Sequence, residues 1–348
     1  MSGLEAHRAA FVSVLDGMLS HPQGHHGWNS FYEALRLTVS SPSCPIPEPL
    51  LRCWTERPEL NLAHVATLLG MAVRQVAALE ESAAAVFRTD HSPRMRAAAL
   101  RHVLETRSRH IGRTLLDRHN SFTGARRFLL PQLVIGNYAP ATGSPVRFLD
   151  VGTGLGVLPR QLNQRAAFER FGADLTWECE SLTYREIPIE CRHAIDKPPL
   201  PDLNWVRNCF GPSHYYQDRL EELLWSLRLP VEGPPIRTTA LDILDAGTFE
   251  QFLEAGRYNA VTCNFVLYQY EPEVRRAVIA SIVRNLPRGG IFLNIDLDPS
   301  MARPGCRIIA HLGGRDDTLH LLDVSDAHLI GSVRAGADYE EFLKICKL

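Results

Sequence analysis

The sequence of 348 residues has little excess charge and almost no lysine, which supplies three of its 37 basic residues. A formal net charge of −2 gives no general attraction to nucleic acid or to an anionic membrane. No apolar run is long enough to span a bilayer, and charges occupy the first residues, where a signal peptide would begin its apolar core. We therefore expect a cytoplasmic protein with no membrane segment, and the scarcity of lysine favours a bacterial source.

Metal-binding patterns are also missing. The eight cysteines are scattered without a CxxC pair, which argues against a zinc site and against a disulfide framework. The histidines of HPQGHH (residues 21–26) are too loosely grouped for a metal site, so no metal is expected. An arginine-rich stretch over residues 94–127 is interpreted as a solvated helix face in preference to a polyanion site.

Two modules follow from the pattern along the chain. Residues 1–138 have helical periodicity broken by proline-rich joints, and residues 61–87 predict two helices with a turn at Gly70. Residues 139–145 (APATGSP) predict a linker. From 145 to 348 apolar strand segments alternate with helical segments, which predicts a doubly wound, mostly parallel α/β sheet of Rossmann-like type behind an N-terminal helical domain. The last strand segments predict a closing antiparallel pair.

The glycine-rich stretch DVGTGLG (residues 150–156) directly follows the first strand of the second module. Ligands of doubly wound sheets bind at such strand ends. Gly152 and Gly154 are expected to let the backbone approach a ligand, and Gly156 to let the next helix pack closely. A plain tight turn remains the alternative. A dinucleotide fingerprint begins with glycine, whereas here an aspartate lies two positions before the first glycine.

This acid-first order resembles the first motif of class I S-adenosylmethionine (SAM) methyltransferases. The resemblance implies SAM as cofactor, with Asp150 at its methionine end and the turn, Gly152, Thr153, Gly154 and Gly156, beside its sugar and sulfur. In that family an acid ending the second strand binds the ribose, which implies Asp196. Its distance from the turn predicts an inserted hairpin around residues 174–186; without one, Glu178 or Glu180 is the better candidate, and Asp196 is a turn residue.

Later strand ends continue the resemblance. Asp242 in ALDIL implies the adenine contact, with a helix cap as the alternative. The segment CNFVLYQY resembles the part of small-molecule methyltransferases that lines the cofactor and opens onto the acceptor, which implies pocket roles for Asn264, Tyr268 and Tyr270. Burial on a central strand is the alternative for both tyrosines. LPRGGIFLNIDLD then supplies a fifth strand.

Other polar residues are weaker candidates. His214, in GPSHYYQD, is a candidate general base or acceptor contact. The run containing His119, Asn120, Ser121 and Arg126 is a candidate cover for the cofactor's carboxylate.

Two further resemblances cover larger parts of the chain. Residues 104–343, through RHNSFTGARRFLLPQL, NFVLYQYEPEVRR and HLIGSVRAGADYEEFL, resemble a bacterial domain of unknown function with a methyltransferase-like core. LNLAHVATLLGMAVRQVAALE resembles the winged-helix portion of small-molecule O-methyltransferases. Its second helix has one arginine, Arg74, which favours a cap or homodimer contact over DNA reading.

The sequence thus predicts a SAM-dependent methyltransferase that acts on a small molecule, as in secondary metabolism. The alternatives are a SAM-binding or degenerate relative with a regulatory or non-methylating role, and a DNA-binding regulator. The acids Asp150, Asp196 and Asp242 favour the enzyme over a degenerate relative.

Overall fold

The computed structural model describes residues 3–20, 27–40, 45–298 and 305–347, so the HPQGHH segment lies outside the described residues. The chain divides into two compact units. The first consists of Met1–Phe122, Pro201–Leu220 and Gln269–Glu271, and the second of Thr123–Leu200, Glu221–Tyr268 and Pro272–Leu348. Among the described helices, none is long and apolar enough to cross a membrane.

The first unit is helical where it is described. Its helices are α1 (Gly3–Ser20), α2 (Asn29–Val39), α3 (Glu48–Glu56), α4 (Leu62–Ala77), α5 (Glu81–Ala84), α6 (Pro93–Thr106) and α7 (Ser108–Asp117). The described part of residues 3–122 contains no strand, only an isolated bridge between Leu60 and Tyr270. It therefore has no β-hairpin wing, and a role for residues 1–138 as a cap or dimerisation domain stays a prediction.

The prediction of two helices meeting at Gly70 is wrong, because α4 runs through this residue without a break. The helix starts where the side chain of Asn61 accepts the amide N–H of His64 at 2.9 Å. A Cβ atom at position 70 would lie 2.8 Å from Trp28 Cζ3 and 3.0 Å from Phe31 Cε1. Gly70 therefore permits close packing of two aromatic rings and does not mark a turn.

Gly70→Ala is accordingly expected to destabilise the protein by about 1–3 kcal/mol, because the added methyl overpacks the contact with Trp28 and outweighs the better helix propensity of alanine. Gly112 in α7 is the matched control: a Cβ there would meet no atom nearer than 4.0 Å. Gly112→Ala should stabilise by up to about 1 kcal/mol. Denaturant unfolding measures both; equal stabilisation by the two substitutions would refute the packing role.

The second unit carries the sheet. Its strands are β1 (Val146–Val151), β2 (Leu175–Trp177), β3 (Ile189–Asp196), β4 (Ile236–Ala240), β5 (Ala260–Asn264), β6 (Ile291–Asp298), β7 (Gly305–Leu312), β8 (Thr318–Val324) and β9 (Gly331–Ala335). The remaining helices are α8 (Leu129–Thr142), α9 (Val157–Gln161), α10 (Arg165–Gly172), α11 (Leu203–Cys209), α12 (His214–Ser226), α13 (Ala246–Gly256), α14 (Pro272–Arg284) and α15 (Tyr339–Cys346). Helix α11 belongs to the first unit, and α12 begins in it.

The strand order is β2-β9-β8-β7-β6-β5-β1-β3-β4. Strands β4, β3, β1, β5 and β6 are parallel neighbours, while β7, β8 and β9 continue the sheet as an antiparallel meander. The chain first builds outward from β1 to β3 and β4, and then returns to β5 on the other side of β1. This reversal is the doubly wound arrangement, which confirms the predicted fold class.

Two local predictions need correction. The inserted segment around residues 174–186 is not a hairpin: β2 crosses to the far edge of the sheet and pairs in parallel with β9. The linker expected at residues 139–145 is largely helix, because α8 extends to Thr142 and ends at Gly143 in the left-handed conformation, with φ of 64°. The alternating apolar residues of β7 and β8 pack on the core side, and β9 adds a strand to the predicted closing pair.

Candidate functional site

The candidate site lies at the carboxyl ends of the parallel strands in the second unit. The order of the chain reverses between β1 and β5, and in doubly wound sheets ligands bind outside the strand ends at that point. We call these strand ends the carboxyl edge, defined by residues 150–156, 196–197, 242, 264–268 and 294–296.

The glycine turn departs from β1 in the left-handed conformation. Gly152, Gly154 and Gly156 have φ of 71°, 58° and 68°, which glycine adopts without strain. A Cβ atom would lie 2.2 Å from a methyl of Val266 at position 152 and 2.3 Å from the Thr123 hydroxyl at position 154. At position 156 it would meet no atom within 4 Å. The sequence predicted open space for a ligand at Gly152 and Gly154 and close packing at Gly156, and the structure shows the reverse. Side chains of the protein lie against the first two glycines, and Gly156 borders open space.

The backbone N–H groups of this turn are all used inside the protein. Those of residues 152 and 153 donate to the carbonyl of Ile195 at 2.9 and 3.0 Å, and that of Gly156 donates to the Thr153 carbonyl at 3.0 Å. Gly154 N donates to Asp196 Oδ2 at 2.6 Å, and Leu155 N to the Thr123 hydroxyl at 3.2 Å. The turn therefore does not hold its amides ready for a phosphate, as phosphate-binding glycine loops do.

Asp196 ends β3 and contacts the turn directly. Its second oxygen accepts the N–H of Lys197 at 2.8 Å, and burial raises the pKa of this carboxyl to about 6. Glu178 is at the other edge of the sheet, where it pairs with Arg334 at 2.7 Å. Glu180 is near Lys347, at 3.6 Å. Of the three acids considered for the ribose, the structure brings only Asp196 to the glycine turn.

Asp150 lies at the end of β1 and is 2% exposed. The Thr262 hydroxyl on β5 donates to its Oδ1 at 2.7 Å. Burial raises the pKa of Asp150 to about 7, against the opposing effect of hydrogen bonds from Thr153 and Thr262. A carboxyl held this way accepts a cationic ligand group readily, because the cation would offset the cost of burying its charge.

Asp242 follows β4 and forms an ion pair with Lys197, with Nζ and Oδ2 3.0 Å apart. Its Oδ1 accepts the N–H of Leu244 at 3.0 Å. The next helix, α13, is capped by a different acid, since the side chain of Asp245 accepts the N–H of Thr248. The alternative role of helix cap therefore belongs to Asp245.

The end of β5 has an unusual backbone. Phe265 adopts a φ of 55°, which is rare for a bulky residue and typical of functional sites. The guanidinium of Arg127 lies 4.4 Å from the centre of its ring. Asn264, 4% exposed, donates from Nδ2 to the Arg127 carbonyl at 3.2 Å, while its Oδ1 has no hydrogen-bond partner among the described residues.

Arg126 was the candidate cover for the cofactor's carboxylate, and that role stays a prediction. Arg126 is bound by Glu222 at 2.8 Å and by Asp174 at 2.6 Å, which makes it part of a structural ion-pair network. Arg127 instead reaches the carboxyl edge, where burial lowers its pKa to about 10 and Tyr268, Asp150 and Asp296 oppose that effect. Adjacent arginines in a turn give no sequence signal for which one points to the sheet.

Asp296 on β6 was also missed. It accepts the backbone N–H of Tyr268, and burial raises its pKa to about 7. Its Oδ1 and the Oδ1 of Asn294 are buried without partners in the described chain. Acids at alternate positions of NIDLD were the signal in the sequence that could have identified it.

His214, exposed at the start of α12, and Tyr270 both belong to the first unit, and their catalytic roles stay predictions. So do His119, Asn120 and Ser121, of which His119 contacts Arg57.

We expect the ionisation of Asp150 to cost stability. In the unfolded chain this carboxyl ionises near its ordinary pKa of 3.8, whereas in the folded protein it stays protonated up to about pH 7. The folded state therefore loses stability as the pH rises from about 4 to 7. Asp150→Asn should be more stable than the native chain at pH 8 by roughly 1–4 kcal/mol, with the difference closing toward pH 4.

Denaturant unfolding across this pH range measures the effect. Glu178→Gln is the control, because its exposed partner Arg334 lowers the pKa of Glu178 and no gain is expected. A less stable Asp150→Asn protein at pH 8 would contradict the prediction.

No protein-family model and no curated protein matches the sequence, so the resemblance to a domain of unknown function has no further support. Among solved structures, similar ones include SAM-bound CalS10, an amino pentose methyltransferase from Micromonospora echinaspora involved in calicheamicin biosynthesis. It is 17% identical, with coverage of 55% of this chain and 66% of that chain and a TM-score of 0.23.

Two other similar structures are PigF with SAH and a SAM-dependent methyltransferase from Clostridium acetobutylicum ATCC 824. PigF is 17% identical over 68% of this chain and 53% of its own, with a TM-score of 0.25. The clostridial protein is 12% identical over 72% of this chain and 86% of its own, with a TM-score of 0.22. With TM-scores this low, the fold assignment depends on the strand order described above.

Proposed function

We propose that this protein is a SAM-dependent methyltransferase acting on a small-molecule acceptor. The observation that carries the proposal is the hydrogen-bond pattern of the glycine turn. Its N–H groups are all used internally, and two acids flank it: Asp196 contacts the turn, and Asp150 ends the strand before it. A ligand recognised here must supply donors and positive charge, as SAM does and a pyrophosphate does not.

The residues of the carboxyl edge fit such a ligand. Each oxygen of Asp196 accepts one backbone N–H, and a carboxylate oxygen has capacity for a second bond, so ribose hydroxyls can donate to it. The ammonium group of the methionine end suits Asp150. The unpartnered Oδ1 of Asn264 and the open space beside Gly156 are the polar atom and the cradle that a bound ligand would complete.

Bound SAM would supply a methyl group on a positively charged sulfur. The part of the protein is then to hold and orient the reactants. Asp196 fixes the glycine turn and is placed to bind the ribose, and Lys197 holds Asp242 at the end of β4, beside the expected adenine position. Thr262 fixes the orientation of the Asp150 carboxyl through its hydrogen bond.

Calorimetric titration with SAM and with its demethylated product, S-adenosylhomocysteine (SAH), tests the proposal. The native chain should bind both and should not bind NAD, because no free amides await the pyrophosphate. Asp196→Asn should weaken SAH binding by about 10- to 100-fold, since hydrogen bonds to a charged group contribute about 1.5–3 kcal/mol.

Glu178→Gln is the matched control, because it also removes one carboxylate from a strand end, but at the far edge of the sheet. It should bind SAH as the native chain does. Failure of the native chain to bind either ligand would overturn the proposed function. Unchanged affinity in Asp196→Asn would remove that residue from the site.

A further inference from the structure

A buried cation on β3 has no counterion among the described residues. Arg192 is 1% exposed, and its Nη2 donates to the carbonyl of Leu162 at 3.2 Å. Its Nε and Nη1 are buried and have no hydrogen-bond partner in the part of the chain that the structure describes. Arginine is almost never fully buried unless it is paired, because an unpaired charge loses its hydration without compensation. The unused donors of this guanidinium therefore suit an anion.

The position of Arg192 separates it from the proposed cofactor site. It lies on the same face of the sheet as Asp196 but four residues earlier in β3, which places the two Cα atoms about 13 Å apart. The strand register puts Arg192 level with Phe148 in β1 and with Ile236, the first residue of β4. A ligand at this guanidinium would thus occupy a site separate from the carboxyl edge.

The loop that joins α12 to β4, residues 227–235, is held against the segment that follows the glycine turn. Arg160 Nη1 donates to the carbonyl of Leu229 at 3.0 Å, and Gln164 Nε2 donates to the carbonyl of Pro230 at 2.8 Å. The Nε of Arg160 is also buried without a partner among the described residues. The 227–235 loop therefore has a second guanidinium against it, in addition to that of Arg192.

The loop borders the guanidinium of Arg192 at Gly233, which is exposed. Apart from its chain neighbours, the atom nearest to a Cβ at this position would be Arg192 Nη2, at 3.8 Å. No other atom of the described structure would come within 4 Å of that Cβ. Open space at an exposed position of the loop therefore adjoins the buried cation.

The acid nearest in sequence to this opening is Glu232, which is exposed on the same loop. Burial lowers the pKa of Arg192, and the charge of Glu232 opposes that effect. Glu232 forms no ion pair with Arg192 in the described structure. Its charge attracts the guanidinium from a distance, and it would repel an anion bound there.

We propose that Arg192 is the base of a second ligand site, beside the 227–235 loop, that binds a phosphate group. A guanidinium has five N–H donors in a planar fork, and Leu162 accepts one of them, so Nη1 and Nη2 retain donors for two oxygens of one anion. Water would satisfy these donors but would leave the buried charge uncompensated. Two guanidinium groups against one loop favour a dianion over a carboxylate.

Calorimetric titration of the full chain with inorganic phosphate, in chloride buffer at constant ionic strength, tests this inference. The native chain should bind one phosphate with a Kd of about 1 mM or lower. Arg192→Met, which keeps an unbranched side chain and removes the charge, should bind at least tenfold more weakly. Glycerol 3-phosphate distinguishes the two sources of the group: tighter binding than phosphate assigns the site to a phosphate monoester, and equal or weaker binding assigns it to the free ion.

A second variant changes only the exposed loop. Glu232→Gln should bind phosphate about three- to tenfold more tightly, because it removes a like charge near the ligand. Glu254→Gln is the matched control and should bind as the native chain does. It removes an exposed acid from α13, which packs on the other face of the sheet through Phe252 and His193.

A native chain that does not bind phosphate would overturn the inference, and so would an Arg192→Met variant that binds it as tightly as the native chain. If Arg192→Met does not fold, the comparison of Glu232→Gln with Glu254→Gln decides, and equal affinities in these two variants would count against the site.

Discussion

The rest of the site depends on how the chain leaves β1. Three glycines in the left-handed conformation turn it away from the sheet, and Val266 and Thr123 occupy the places where side chains would be at the first two. The hydrogen bond from Gly154 N to Asp196 then joins the turn to the end of β3. Because the amides of this turn all donate to groups within the protein, the polar groups left for a ligand are mostly carboxylates. Such a site favours a ligand that supplies hydrogen-bond donors and positive charge.

The same arrangement has a cost in stability. Asp150 is buried and Asp196 and Asp296 are half-buried at the carboxyl edge, and burial raises the pKa of these three carboxyls to about 7, 6 and 7. Structural carboxylates elsewhere in the unit show the reverse, as in Glu178, whose partner Arg334 lowers its pKa. A fold selected for stability alone is not expected to gather carboxyls whose pKa values are raised, so their grouping supports a functional role.

Much of the second unit could be predicted from the sequence because its signals are local. Strand and helix alternate with clear periodicity, and the acid-first glycine turn marks the end of β1. The path of the insertion after α10 could not be predicted, since three residues of β2 pair with β9, over 150 positions away in the chain. Gly70 shows a related limit: its role depends on Trp28, which precedes α2, and on Phe31, which lies in α2.

Within the site, Asp150, Asp196 and Asp242 could be predicted because they match the strand-end acids of a known motif. Arg127 and Asp296 match no motif and were not predicted. Arg126 is distinguished from Arg127 by Glu222 and Asp174, which are distant in sequence and form ion pairs with Arg126. The position of Asp296 became clear only when its neighbours were known, because the NIDLD segment contains two acids, Asp296 and Asp298, and the sequence does not tell which of them forms an ion pair.

The antiparallel meander explains why Asp296 stands out. Its register aligns Asp296 with Arg307, Arg307 with Asp323 and Asp323 with Arg334, so that charges alternate across four strands. From β7 to the edge of the sheet these charges form ion pairs: Arg307 pairs with Asp323, and Arg334 pairs with Glu178, which directly follows β2. Arg307 also binds Asp298. At the inner end of the row, on β6, Asp296 forms no ion pair among the described residues; the Tyr268 N–H and the Asn294 side chain donate to its carboxyl, and Arg275 and Arg127 favour its charged form.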